Sequence, residues 1–336
     1  MLRFFEIFYI RWMRRRRRLR AVRKGRELRA VRDRTSRITN RDILLVTTLH
    51  NEAHRLEFFL SYYRKLGVTH FLIIDNASTD NTAQLIENQH DVSVWRTGHS
   101  YRRANYGMDW VNDLLRRYGC GHWCLVVDAD EFLVYPHENT RPLQALTDWL
   151  DASNLRALGC MLLDMYPETG VPSESYRSGA NPFGYLTHFD SGNYFAQQNQ
   201  RFGNLWIQGG PRMRRYFAET PENAPALNKI PLVKWRRGQV YVSSTHMLLP
   251  RRLNRVYEAK GGANISGVLL HAKFLPDLAE KASREVERNQ HFADGREYAA
   301  YQGVQEYSDL CTEHSVRYRG WKQLAELGLM SQGGWV

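Results

Sequence analysis

The segment Asp42-Ile-Leu-Leu-Val-Thr-Thr-Leu49 is apolar almost without interruption, a pattern expected of a strand covered on both faces, as in a parallel sheet held between helices. The chain beyond it keeps the alternation that such a sheet demands. Leu56, Phe59, Leu60, Tyr63 and Leu66 recur at helical spacing and stop at Gly67. Phe71–Ile74 reads as a second strand, and Ser78-Thr79-Asp80 offers capping side chains for a helix through Gln84-Leu85-Ile86. Val92–Trp95 is a third strand. A helix through Trp110, Val111, Leu114, Leu115 and Tyr118, closed by Gly119, leads to a fourth strand that carries Asp128 and Asp130. The expected class is α/β, a doubly wound and mostly parallel sheet.

With 336 residues, 43% of them hydrophobic, the chain can bury a full core. Its formal charge of +12 is not spread evenly. Residues 1–41 hold 16 Arg and Lys against 3 Asp and Glu, and the remainder holds 31 against 32. The expected organisation is a basic segment over 1–41, a catalytic domain over 42–275 and a helical carboxy-terminal extension over 276–336. In that extension Ala279, Ala282, Val286 and Phe292 recur periodically after Pro276-Asp277. Four cysteines without paired spacing suit a reducing compartment, and Cys120-x-His122-x-Cys124 lacks the further ligands that tetrahedral zinc requires.

The polar residues cluster past the carboxyl ends of the expected strands: His50-Asn51-Glu52, Asp75-Asn76-Ala77-Ser78, Arg102-Arg103-Ala104-Asn105 and Asp128-Ala129-Asp130. Open α/β sheets bind ligands at that edge. In an extended chain Asp128 and Asp130 would point to one side and could share a hard cation, Mg²⁺ or Mn²⁺, while Ala129 leaves room for a ligand. A dinucleotide glycine fingerprint and a Walker phosphate loop are both absent from the turn after the first strand.

These segments, together with Gln208-Gly209-Gly210-Pro211-Arg212, Asn228-Lys229-Ile230-Pro231, Ser244-Thr245-His246 and Leu270-His271-Ala272-Lys273-Phe274, resemble a bacterial glycosyltransferase of family 2 type with a GT-A fold. The likeness is closest to the branch with a His-Asn-Glu opening and an Asp-x-Asp-Glu-Phe motif, found among cell-surface polysaccharide and lipopolysaccharide enzymes. The resemblance spans about residues 42–305. It implies a nucleotide-binding half and a metal-dependent transfer from a nucleotide-sugar donor. His50, Glu52, Asp75, Arg103, Asn105, Asp128 and Lys273 would contact the donor, Asp75 reaching the base, with uridine the expected nucleoside. Asp130 and Asp128, with His271 as a late ligand, would hold Mn²⁺ or Mg²⁺; His246 rivals His271. The order Arg-Arg-Ala-Asn departs from the Ala-Arg-Asn segment of such enzymes and weakens Arg103. Inversion needs a carboxylate to take the acceptor's proton, and Asp164, Glu168 and Asp190 are the candidates. Asp128 and Asp130 complete the expected catalytic set.

A glycan or lipid-linked acceptor is the expected second substrate, and the aromatic stretch from Tyr185 to Trp206 suits either acceptor-side loops or core packing. At the amino terminus, Leu2, Phe5, Phe8, Tyr9 and Trp12 fall on one side of a helix and Arg3, Glu6, Arg11 and Arg14 on the other. The run is too short to cross a bilayer and has the wrong order for a secretory signal. Two readings stand side by side: a helix lying in an anionic membrane surface, and a disordered basic arm. Nucleic acid ranks below both, since no basic patch follows in the body. The expected location is cytoplasmic, peripheral on the inner face of the bacterial plasma membrane. A sugar nucleotidyltransferase and a non-catalytic binding module are the alternative classes. The first would want a Gly-rich basic loop where His50-Asn51-Glu52 stands; a catalytically dead version of the second should have lost one of the acidic pair.

Overall fold

The computed structural model describes residues 2–257, 264–278, 281–283 and 310–335, with side chains from residue 6. The strands are β1 Arg29–Arg32, β2 Ile43–Leu49, β3 His70–Asp75, β4 Val92–Arg96, β5 Trp123–Val126, β6 Glu131–Val134, β7 Ala157–Asp164, β8 His188–Asp190, β9 Tyr194–Asn199, β10 Asn204–Gly209, β11 Asn228–Lys234, β12 Val240–Ser243, β13 Met247–Leu249, β14 Ser266–His271 and β15 Ser315–Arg317. The α-helices are α1 Leu2–Lys24, α2 Ala53–Leu66, α3 Thr82–Glu87, α4 Met108–Leu114, α5 Leu143–Ala152, α6 Gly210–Tyr216 and α7 Trp321–Glu326. A nine-stranded sheet, ordered β1-β4-β3-β2-β5-β11-β7-β14-β6, forms the centre. The pairs β4–β3, β3–β2, β2–β5 and β7–β14 are parallel, and β1–β4, β5–β11, β11–β7 and β14–β6 antiparallel, so six strands point one way. The mixed α/β class with a mostly parallel sheet is therefore observed.

The alternation of β2 explains its composition. Ile43, Leu45 and Leu49 pack into the cluster that contains Leu56, Phe59 and Tyr63 of α2, while Leu44 and Val46 pack with Trp110, Val111 and Leu114 of α4 on the other face. Each fully buried side chain of this size contributes ~1.5–3 kcal/mol, so neither face tolerates a polar substitution. Helix α2 ends where Gly67 takes φ 107°, with Gly67 N–H donating to Arg64 O and Val68 N–H to Tyr63 O. Because α2 covers one face and α4 the other, the winding reverses between β2 and β5, and a crevice opens there at the carboxyl edge.

The basic amino-terminal segment does not stand apart. Strand β1 pairs with β4 as the edge of the sheet, and α1 lies against α4 and β12. In the carboxy-terminal region Ala282 is buried, whereas Ala279, Val286 and Phe292 lie outside the described residues. The Tyr185–Trp206 stretch divides: Tyr185, Leu186 and Phe189 join the core, and β9 and β10 form a separate antiparallel pair with Phe195 exposed.

Candidate active site

Strands β2 and β5 stay paired up to Val46 and Val126 and then part. The gap is a small cavity of about 20 Å³ walled by Thr47 and Thr48 of β2, Val126 to Asp128, Tyr101, Tyr106, Met108, Val111, Glu131, Ser244 and Thr245. The hydroxyls of Thr47, Thr48 and Thr245 are buried there without a hydrogen-bond partner among the described residues. Each such orphan costs about 1–3 kcal/mol, which a polar ligand in the cavity would relieve. The wall at Tyr101 to Gly107 is tightly wound. Asn105, Tyr106 and Gly107 take φ 54°, 54° and 74°, and a Cβ on Gly107 would sit 2.7 Å from Tyr101 and 3.2 Å from the Thr48 hydroxyl. Asn105 is held by donating from Nδ2 to Val242 O at 3.1 Å.

The expected extended geometry of the acidic pair is not what forms. Strand β5 ends at Val126, and residues 127–130 make a turn in which Glu131 N–H donates to Asp128 O at 3.0 Å and Asp128 N–H to Glu131 Oε2 at 3.2 Å. A turn separates what a strand would align. The Asp128 carboxylate is 58% exposed and lies 3.9 Å from Lys229 Nζ, which pairs with Glu131 at 2.7 Å. The carboxylate keeps access to solvent, and the partial loss of water against the crevice wall together with the neighbouring Glu131 charge pushes it up. Burial opposes the Lys229 ammonium, but Glu131 and Asp128 outweigh it and hold the charge.

Asp130 belongs to a second group. His271 Nε2 is 3.4 Å from Asp130 Oδ2, His271 Nδ1 is 2.6 Å from Asp164 Oδ1, and Asp164 Oδ2 accepts from Arg212 Nε at 2.7 Å. Register assembles this chain: His271 lies opposite Glu131 across β14–β6 and opposite Asp164 across β14–β7. Arg55, buried in the first turn of α2, reaches Asp130 at 3.6 Å. Burial would raise the Asp130 carboxyl, but His271 and Arg55 hold it well below the usual range. Burial also opposes the His271 cation, and Asp130 with Asp164 reverses that effect. Asp164 is likewise lowered against its burial by Arg212 and His271.

The donor set suits a divalent ion at two positions. Oxygen and nitrogen donors ~2.1 Å from a metal and at right angles lie ~3 Å apart, close to the spacing of Asp130 and His271 Nε2. The carboxylate on Nδ1 is the outer partner that metal-binding histidines use. Among the described residues, no three His, Cys, Asp or Glu side chains converge on one point, and Asp128 is not aligned with Asp130 and His271.

The remaining expected residues divide between scaffold and edge. His50 Nδ1 lies 2.8 Å from Asn76 O. Glu52 pairs with Arg55 at 3.0 Å and Lys281 at 2.6 Å, beside a His54–Asp277 contact of 3.1 Å. Asp75 is fully buried, accepting from Arg96 Nε at 2.8 Å and Ser78 N–H at 2.9 Å. Arg103 is exposed and its carbonyl accepts from Arg20; Lys273 is half-buried. Asp190 is fully buried against Arg214 and Tyr166, and Glu168 is exposed. His246 Nδ1 is 2.6 Å from Asn228 O, and desolvation, then Lys229, pushes its ring down to about 3. Sequence reasoning passed over Arg55, Thr47 and Thr48, and gave no separate role to Lys229, Glu131, Arg212 and Thr245, which it met only as members of motifs. Arg55 and Lys229 carried a signal, a cation inside an apolar helix face and inside an apolar strand.

No protein-family model and no curated protein sequence matches the chain. Among solved structures it is similar to the mannosyltransferase PcManGT from Pyrobaculum calidifontis in complex with GDP-Man and Mn²⁺, at 18% identity and a TM-score of 0.28. That match covers 47% of this chain and 45% of the other, so the chain spans under half of that enzyme. A 4-diphosphocytidyl-2C-methyl-D-erythritol synthase matches at 19% identity over 43% of this chain and 68% of its own, TM-score 0.26. HddC from Yersinia pseudotuberculosis matches at 8% identity over 73% and 98%, TM-score 0.30. Likenesses this distant carry no weight for substrate or chemistry.

Proposed function

We propose that the chain is a metal-dependent glycosyltransferase that moves a sugar from a nucleotide-sugar to a glycan or lipid-linked acceptor. The observation that carries this reading is the switch-point crevice, where three unpartnered threonine hydroxyls open beside Asp128, one turn from the Asp130–His271 pair. Thr47, Thr48 and Thr245 would bind ribose or phosphate oxygens, and Lys229 would exchange part of its pairing with Glu131 for diphosphate charge. Asp130 and His271 would hold Mn²⁺ or Mg²⁺, which when bound neutralises the negative charge growing on the leaving diphosphate. Asp164 acts through His271, fixing its tautomer. Asp164 and Asp190 are each committed to arginine, so Glu168, exposed just beyond β7, is the carboxylate left open to an acceptor hydroxyl. Asp75 contributes to base recognition through the Arg96 pair.

The test is nucleoside diphosphate release from a panel of nucleotide-sugars with and without Mn²⁺, alongside calorimetric titration with UDP, GDP and CDP. Asp130→Ala should lower turnover by ~10² to 10⁴, the several kcal/mol that a metal's charge supplies. Wild-type turnover in that variant, or indifference to chelation, sinks the metal assignment. Pyrophosphate release from a nucleoside triphosphate and a sugar phosphate would replace transfer by nucleotidyl chemistry. A preference for GDP or CDP would remove uridine and leave the rest.

A further inference from the structure

Helix α1 presents two faces with different chemistry. Inward, Ile10 packs with Val240, Val242 and Leu249, Ala21 is buried, and Arg20 pairs with Asp109 at 2.7 Å. The helix end is fixed as well. Glu27, paired with Lys24 at 2.6 Å, accepts from Trp110 Nε1 at 3.0 Å, and Gly25 packs so closely on Asp113 that a Cβ would overlap its carboxylate. Outward, Phe8, Trp12, Leu19 and Val22 are exposed, Phe8 by 66% and Leu19 by 62%. At 100° per residue these four fall within about a quarter of the circumference. Arg15 lies among them, and Arg11, Arg16 and Arg23, all exposed, flank them. Glu6, the only acidic residue of α1, falls on the opposite side of the helix.

We infer that α1 is an in-plane membrane anchor, docking its outward stripe into the headgroup region of an anionic bilayer. The fold does not use these apolar side chains, since the helix is already held by its inward face. Charge complementarity selects the occupant: four arginines around an apolar stripe, with no acid on that side, match anionic headgroups over acyl chains. No helix among the described residues is long and apolar enough to cross a membrane, so the contact lies in the surface plane. This inference stands apart from the proposed chemistry, because no residue of the stripe lines the crevice.

The test is sedimentation of the full-length chain with phosphatidylcholine vesicles, pure or containing one-third phosphatidylglycerol. Binding to the anionic vesicles is expected. Phe8→Ser with Leu19→Ser should weaken it at least about tenfold at low and high salt, with an unchanged melting temperature because both side chains are exposed. Arg15→Gln with Arg16→Gln should weaken it by about fivefold per charge at low salt, a loss that fades near about 1 M salt. Four results would overturn the inference: no sedimentation of the parent, parent-like binding by the serine pair, equally tight binding to a single-stranded RNA at equal salt, or a dimer that the serine pair dissolves.

Discussion

Replacing Asp164 with Asn tests whether the buried chain behind His271 serves metal binding or merely packs. The substitution keeps size and one acceptor oxygen but removes a charge lying 2.6 Å from His271 Nδ1 and 2.7 Å from Arg212 Nε. Two costs follow. Arg212, itself 4% exposed in its side chain, loses its carboxylate, and breaking a buried pair by removing one partner costs about 3–5 kcal/mol. His271 loses the partner that fixes its tautomer and raises its basicity as a ligand, which for outer partners of metal histidines is worth about 10–100-fold in affinity. That factor is ~1.4–2.7 kcal/mol. Isothermal titration of the folded variant with Mn²⁺, well below its lowered melting temperature, should show the weakened affinity, while UDP binding without metal stays near wild type. An unchanged Mn²⁺ affinity together with the stability loss would refute the metal role and leave Asp164 as a structural counter-ion.

Thr47→Val removes an orphaned buried hydroxyl without changing shape, so the free protein should gain about 1 kcal/mol of stability in urea unfolding while UDP affinity falls; unaltered UDP affinity would take Thr47 out of the ligand site. His246 is held neutral by burial at a folded pKa of about 3. Relative to an unfolded value of ~6.5, its contribution to stability is complete above that pH and is lost as pH falls below it, because the unfolded chain then binds the extra proton. The loss approaches ~1.4 kcal/mol per pH unit, so unfolding measured between pH 6.5 and 5 should be flatter in His246→Gln. Parallel slopes in variant and parent would assign the acid sensitivity to His54, His70 and His188, which burial also depresses.

The strands legible in the sequence are those whose burial leaves no room for polar residues. β2, β3 and β4 were readable because both faces are covered, and α2 because its five apolar positions and Gly67 mark face and end together. β1 was not. Arg29-Ala-Val-Arg32 is an exposed edge strand with one partner, and nothing in four largely solvated residues separates it from a basic tail. The mixed second half of the sheet was hidden for a related reason, since β11 enters between β5 and β7 from far along the chain and local pattern carries no partner identity.

At the site the same limit acts through spacing. Asp-Ala-Asp is compatible with a strand, which would align the carboxylates, and with a turn, which divides them; the Glu131 hydrogen bonds to Asp128 decide for the turn. The division has a chemical consequence. Asp130 is drawn into a network of opposed charges with His271, Asp164, Arg55 and Arg212, whereas Asp128 shares Lys229 with Glu131 at the mouth of the threonine crevice. One carboxylate is thus fixed beside His271, where a cation could be held once that ring gives up its proton. The other sits where its charge depends on what fills the crevice, because a diphosphate bound there as proposed would compete for the same lysine. A motif that reads as a symmetric pair in the sequence acts in the fold as two unlike groups.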